Sequence, residues 1–427
     1  MIDSNLLLDQ PDAVVAALAR KGVSSETVLS ARQALIQRRS ILSEVEGLRA
    51  EMNRRSKQVG KLISSGDPSA EQERLALADL KSRIAEKEAE LREAEKNSRS
   101  HLLMLPNLPS PEAPEGLDES CNVILRVEGP PADRFNPADY RPHWEIAAAL
   151  GIYDPERAAK LSGSGFSLLY GDGARLIRAL IQFGLDLNRD TYREVLVPHM
   201  VRSEVFEGTG HLPKFAEDAY NTTLDDLWLV PTGEVPLTGM HRGELFEADE
   251  LPKRYMAYSV CFRREAGSAG KDTRGLQRLH EFHKVELVRI CTPETVQDEF
   301  DGLLADAEKP LQLLELPYRV VDLAAGDLTF SSSRIFDLEV YSPGVDRWLE
   351  VSSVGNFTDF QPRRSNIRYR VGSGQTRAPY YLNGSALATP RMWAAVIEHG
   401  QRQDGTVELP SALVPYMGGK KVLEPEM

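Results

Sequence analysis

The stretch Cys261-Phe-Arg-Arg-Glu265-Ala-Gly-Ser-Ala-Gly-Lys-Asp-Thr-Arg-Gly275, continuing into Leu279-His-Glu-Phe-His-Lys-Val-Glu286, decides how the rest of the sequence is read. Residues 255–262 and 285–290 have the aromatic and β-branched content of strands, and the Gly- and Ser-rich segment between them reads as a returning loop. A guanidinium and a carboxylate, Arg263 and Glu265, then stand at a strand end. Arginine's planar fork grips a phosphate or carboxylate through two bonds, which suits the positioning of a triphosphate. Outward from here, short β-rich runs recur at 194–198, 227–230, 318–322, 335–341 and 348–351. Strands in succession predict an antiparallel sheet flanked by helices, an α+β domain. Neither GxGxxG nor GxxxxGK[ST] occurs, so no dinucleotide fingerprint or Walker loop is offered.

Two further stretches concentrate polar groups between apolar runs. Asp337-Leu-Glu-Val is followed by Trp348-Leu-Glu350-Val-Ser-Ser353, where a carboxylate and a hydroxyl three apart offer oxygen ligands to a hard cation. Tyr381-Leu-Asn-Gly-Ser385-Ala-Leu-Ala-Thr-Pro390-Arg391 carries one charge, with Pro390 at an expected helix start and Arg391 just inside it. An anion ligand explains that lone arginine most simply.

The first hundred residues differ in kind. Apolar residues at heptad-like spacing run through Leu42, Val45, Leu48, Met52 and Val59, then through Leu77, Leu80, Ile84, Leu91 and Ala94. Between the runs lies Ser64-Ser-Gly-Asp-Pro68-Ser, a turn signal, so an antiparallel coiled-coil hairpin is expected over about 28–98. Domains are expected at 1–104 and 117–427, separated by a linker over 105–116 that contains four prolines.

The 427 residues carry a net charge of −13, with 41% hydrophobic and 27% charged residues, which excludes a disordered or collagen-like chain. Three distant cysteines without CxxC spacing argue against a zinc site or a disulfide framework and fit a reducing cytosol. No leader and no membrane span is expected. An acidic total speaks against a nucleic-acid partner, yet it averages over opposed regions. Residues 31–61 sum to +5, 253–278 to +5 and 360–397 to +6. Near the hairpin tip stand Arg54, Arg55, Lys57 and Lys61, a strip suited to a phosphate backbone.

Together the stretches resemble the three signature motifs of class II aminoacyl-tRNA synthetases, and in detail the seryl-tRNA synthetase family. The match covers nearly the whole chain, with Asn53-Arg-Arg-Ser-Lys57-Gln-Val-Gly60 in the arm and Gly171-Asp-Gly-Ala-Arg175 leading to Tyr192-Arg-Glu-Val-Leu-Val-Pro198. It continues through Gly208-Thr-Gly-His-Leu-Pro-Lys-Phe215, Phe262-Arg-Arg-Glu265 and Asn383-Gly-Ser385 to Pro415-Tyr-Met-Gly-Gly419. The resemblance implies ATP- and Mg²⁺-dependent formation of seryl-adenylate, then transfer to tRNA(Ser), with tRNA(Sec) a further substrate in the family. It implies that Arg263 bridges the α-phosphate and the serine carboxylate, that Glu265 holds the adenine amino group and that Phe282 stacks on the adenine. Glu350 and Ser353 would hold the metal and Arg391 the γ-phosphate, with Arg264, Val351 and Ser352 also at the nucleotide. Thr232, Gly233 and Glu234 would receive the serine amino group, and Glu286, Asn383 and Ser385 the rest of the amino acid. The arm would contact the long variable arm of the tRNA, and a homodimer would form around Pro198.

The chain departs from the family's usual pattern at Gly233, at Val354 and Gly355, at Ala386 and Pro390, and at Glu281 and His283. Gly233 is expected to add room beside the amino acid and Ala386 to bring a methyl group close to it. These departures suggest a specialised second copy, antibiotic-resistant or feeding a biosynthetic pathway. A separate alternative is a ligase that loads a carrier protein, against which the complete hairpin with its basic tip argues.

Overall fold

The computed structural model describes residues 1–266, 274–372 and 374–425. The chain divides into two units, Ile2–Pro106 and Asn107–Met427, each described by itself.

In the smaller unit, helix α1 (Ser25–Ser65) and helix α2 (Ala70–Leu103) fold back on each other. Ser24 caps α1, its hydroxyl accepting from Thr27 N–H at 3.3 Å. Gly66 ends it at φ +68°, a left-handed conformation that glycine adopts without a Cβ penalty. Val45, Val59, Leu80 and Ala94 are buried along the seam, whereas Leu42, Leu48, Met52, Leu77, Ile84 and Leu91 are half-buried. So narrow a stripe is supplemented by ion pairs across the hairpin, Arg49 to Glu88 at 2.7 Å and Lys87 to Glu44 at 3.1 Å.

Among the described residues, the larger unit is built on a central sheet of eight strands. They are β1 (Val123–Glu128), β2 (Arg193–Glu194), β3 (Lys253–Phe262), β4 (Glu281–Cys291), β5 (Tyr318–Asp322), β6 (Arg334–Ser342), β7 (Arg347–Thr358) and β8 (Tyr380–Ala388). The order is β1-β5-β6-β7-β8-β4-β3-β2, antiparallel throughout except that β2 runs parallel to β3. Helices α3 (Gly171–Asn188), α4 (Val296–Leu313) and α5 (Thr389–Gly400) pack apolar residues on one sheet face, where Leu180, Phe300 and Trp393 join Val285, Leu287 and Val354. On the opposite face Val288, Ile290 and Tyr381 form a second core with Leu237 and Ile367, and the polar side chains of the site gather beside it.

Sequence periodicity left two strands unread. In β1 all six residues are exposed, so it lacks the in–out alternation of a half-buried strand. In β8 nearly every residue is buried on both faces, and the strand runs straight into α5, where Pro390 occupies the expected first turn. The proline-rich stretch expected as a linker lies on the larger unit from Asn107 onward. Asn107 Nδ2 donates to Phe357 O at 2.9 Å, and Ala113 packs with Val321, Leu323 and Ile335.

Candidate active site

Strand β4 lays out the site by simple alternation. Val285 and Leu287 enter the core, which turns Phe282, Lys284 and Glu286 to the other face. Ser385 of β8 is directly opposite Glu286 in the ladder. Above them the 232–234 turn closes in. Thr232 Oγ1 donates to Glu286 Oε2 at 2.6 Å and accepts from Glu234 N–H at 3.1 Å. Lys284 Nζ pairs with the same Glu286 oxygen. Glu286 is 1% exposed, and burying a carboxylate without such partners would be costly.

Glu234 adjoins this cluster and accepts from Gln361 Nε2. Burial, then the charge of Glu286, pushes its carboxyl up to about 7, against the pull of Gln361, Lys284 and Asn383. His211 is pushed the other way, down to about 4, by burial and by the cations Arg263, Lys284 and Arg364. It is therefore neutral, with Nδ1 2.9 Å from Thr209 Oγ1.

A second cluster lies on the same face of β6 and β7. Residues three apart in a regular strand point to opposite faces, so Glu350 and Ser353 should diverge. A bulge corrects this. Glu350 faces Glu339, Ser352 already faces Leu338, and the additional residue Val351 turns into the core. Glu350 and Ser353 consequently share the open face with Asp337, which accepts from Ser353 Oγ. Burial, then the charge of Glu350, holds Asp337 well above the usual carboxylate range. Ser352 faces inward and donates to Ser385 O at 2.7 Å.

Arg391, the third residue of α5, donates from Nε to Gln277 O at 3.0 Å and from Nη1 to Glu350 O at 2.6 Å. Arg263 lies with its guanidinium 5.0 Å from the Phe282 ring centroid. Glu265, held at φ +52°, accepts from Arg278 Nε at 2.6 Å. Arg264 turns to Tyr220, 5.7 Å from its ring centroid. The Gly- and Ser-rich loop at 267–273 lies outside the described residues. Arg54, Lys57 and Lys61 are exposed on α1, while Arg55 pairs with Glu51 at 2.9 Å.

Two expectations about the departures need correction. A Cβ at Gly233 would lie 3.0 Å from Glu286 Cβ and 3.2 Å from Ser259 Oγ, so the glycine permits close packing rather than adding room. Ala386 is the extra residue of a bulge between Ser385 and Leu387, and its methyl group packs in the core, away from the pocket. At Gly355 the missing side chain is replaced by the Phe357 ring, 2.7 Å from where a Cβ would sit. Sequence reading passed over Lys284, although period-2 alternation from Phe282 to Glu286 marks it. Gln361 carried no comparable signal, because it reaches the site from a segment remote in sequence, whereas His211 stands in the quoted 208–215 motif but was given no role.

The profile of the tRNA synthetase class II core domain (G, H, P, S and T) matches residues 217–400, and that of the seryl-tRNA synthetase N-terminal domain matches 1–109. The serine--tRNA ligase of Roseiflexus sp. (strain RS-1) is 47% identical over 99% of both chains. That of Parasynechococcus marenigrum (strain WH8102) is 47% identical over 100% of both. Among solved structures, seryl-tRNA synthetase from Pyrococcus horikoshii complexed with ATP superposes with a TM-score of 0.92 at 36% identity, covering 100% of both chains. A cytoplasmic serine-tRNA ligase from Naegleria fowleri in complex with AMP gives 0.87 at 28% identity, covering 100% of this chain and 99% of that one.

Proposed function

This chain belongs to the seryl-tRNA synthetases, the serine--tRNA ligases of class II, and from that membership we propose how its own residues carry the reaction. The observation that carries the assignment of the serine pocket is the buried Glu286 carboxylate, bracketed by Thr232 and Lys284 opposite Ser385. A serine hydroxyl donates to Glu286 and accepts from Ser385, while its ammonium faces Glu234 and Thr232, with Asn383 alongside. Alanine leaves those groups unpaired, a penalty that supports roughly 10⁴-fold discrimination.

Nucleotide binds beside this pocket, with Phe282 under the adenine, Glu265 at its amino group and Arg391 at the γ-phosphate. Arg263 brings the serine carboxylate to the α-phosphate. The carboxylate oxygen bonds to the α-phosphorus as the bond to the β-phosphate oxygen breaks and pyrophosphate leaves. A terminal ribose hydroxyl of tRNA then attacks the acyl carbon and AMP departs. Orientation and fixed charge do the work, since the carboxylate needs no general base. Among the described residues no three His, Cys, Asp or Glu side chains are grouped to hold a metal by themselves. The oxygen donors of Glu350 and Ser353, which share one sheet face with Asp337, fit Mg²⁺ as a partial set completed by substrate phosphates. Bound there, Mg²⁺ would neutralise the charge of the phosphates.

The basic strip on α1 takes the tRNA by its backbone and shape at the long variable arm. Around Pro198, Leu196 is 88% exposed and Met200 49%, an unusual display of apolar surface that a second copy would cover. A sedimentation mass of one chain would refute that dimer. Two buried free cysteines, Cys261 and Cys291, suit a reducing cytoplasm, and no described helix is long and apolar enough to cross a membrane.

ATP–pyrophosphate exchange measured with serine, alanine and threonine tests the central reading. Exchange should require serine and stay near background with the other two. Exchange that proceeds without serine would overturn it.

A further inference from the structure

His143 and Glu398 are fully buried, and neither belongs to the pocket described above. The Glu398 carboxylate, on α5, collects four donors. Oε1 accepts from His143 N–H at 3.0 Å and lies 2.8 Å from His143 Nδ1, while Oε2 accepts from Ser342 Oγ and from Gly344 N–H at 3.1 Å. On its other side the imidazole meets the backbone of the nucleotide segment, where Leu276 N–H donates to His143 Nε2 at 3.0 Å. A backbone N–H can only donate, so Nε2 is unprotonated and the ring proton sits on Nδ1, shared with Glu398. Contact with the preceding residue is just as close. Gly275 has φ +65°, and a Cβ there would lie 2.2 Å from His143 Nε2 and 2.8 Å from Trp144 Cε3. The imidazole therefore sits flush against the main chain at 275–276.

Gln277 and Arg278, the next two residues of the chain, each touch the nucleotide site. The Gln277 carbonyl accepts from Arg391 Nε at 3.0 Å, and Arg278 holds Glu265 at 2.6 Å. Arg391 and Glu398 stand on the same helix α5, so the segment is fastened to α5 at two levels: through Gln277 to Arg391, and through His143 to Glu398.

We propose that His143, oriented by Glu398, is a positioning residue for ATP binding: it fixes the backbone at Leu276 so that Gln277 and Arg278 present Arg391 and Glu265 to the nucleotide. This rests on the reading of Arg391 and Glu265 given above. The serine pocket is set by the 232–234 turn, β4 and Ser385 of β8, whereas His143 bonds to Glu398 and Leu276, so the pocket gains nothing from this brace. The brace therefore acts on one substrate and not on the other.

Two amides separate the roles of the ring nitrogens. Asparagine places an N–H near Nδ1 but reaches no further, so His143→Asn keeps the bond to Glu398 and loses that to Leu276. Glutamine places an oxygen near Nε2, so His143→Gln keeps the acceptor for Leu276. Both variants lose one buried hydrogen bond and both should melt lower. Steady-state ATP–pyrophosphate exchange should nevertheless distinguish them. His143→Asn should raise the KM for ATP about tenfold, the order that one lost buried hydrogen bond supports, with the serine KM held within twofold. His143→Gln should bring the ATP KM back toward the native value. Should neither variant fold, Gly275→Ala presses on the same nitrogen from the backbone side and should raise the ATP KM alone. Equal ATP KM values for the two amide variants, or a parallel rise in the serine KM, would overturn the proposal. Arg391→Ala serves as the control: an unchanged ATP KM there would refute the reading of the nucleotide site itself, whereas a raised value with a native-like His143→Asn would refute only the brace.

Discussion

At the scale of single residues, Glu234 makes the most direct claim on measurement. Its carboxyl titrates near 7 in the fold, against 4.5 without it, because burial and the Glu286 charge oppose ionisation. The folded chain thus holds this proton more tightly than the unfolded one. Stability from this group is greatest at low pH and declines as pH rises from about 4.5 to 7, a cost of about 3 kcal/mol once the carboxylate is formed. In the proposed pocket the serine ammonium pairs with that ionised form. The serine KM should therefore fall as pH rises through about 7, and Glu234→Gln should flatten that limb. A native KM that stays constant between pH 5.5 and 8.5 would contradict the assignment. Thr232, Glu234, Glu286 and Ser385 could all be picked out by motif, but the titration could not. It depends on how closely two carboxylates are packed, and their positions are 52 residues apart in the sequence.

At the scale of elements, bulges decide what strands can do. Without the slip at Val351, Glu350 and Ser353 would straddle the sheet, and no period-2 reading of β7 puts them together. The glycine four residues further along has an equally local meaning. Gly355 leaves room for the Phe357 ring, so Gly355→Ala should cost about 1–3 kcal/mol in urea unfolding, as overpacking does. In a Phe357→Ala background the same change should cost less than about 0.5 kcal/mol, because its clash partner is gone. Equal costs in the two backgrounds would mean that the ring is not what excludes a side chain. The α1–α2 hairpin was legible from its turn and apolar rows, which are local signals. β1 and β8 were not, since their burial is set by neighbours rather than by alternation.

For the molecule as a whole, the distribution of charge matters more than its total. The net −13 coexists with a positive arm whose Arg54, Lys57 and Lys61 are exposed and whose Arg55 is tied to Glu51. Arg54→Glu with Lys57→Glu should raise the KM for tRNA and lower the slope of log KM against log salt by about two, one for each phosphate no longer neutralised. ATP–pyrophosphate exchange should be untouched, since it needs no tRNA. The same double change with Arg55→Glu added should do little more, because that side chain is already paired. A salt slope equal to the native one would place the tRNA elsewhere.

The sequence by itself determined the helical arm, the sheet-based larger unit, and most of the side chains proposed for the site, because turns, apolar spacing and ordered motifs are properties of neighbouring residues. Tertiary structure alone decided which face each side chain took, that Gly233 packs closely against Glu286, that Ala386 turns to the core, and that His143, held by Glu398, reaches the backbone at Leu276. The physical reason is common to all four. A one-residue slip in a ladder, or a backbone approach of 3 Å, is fixed by packing between segments that share no local sequence.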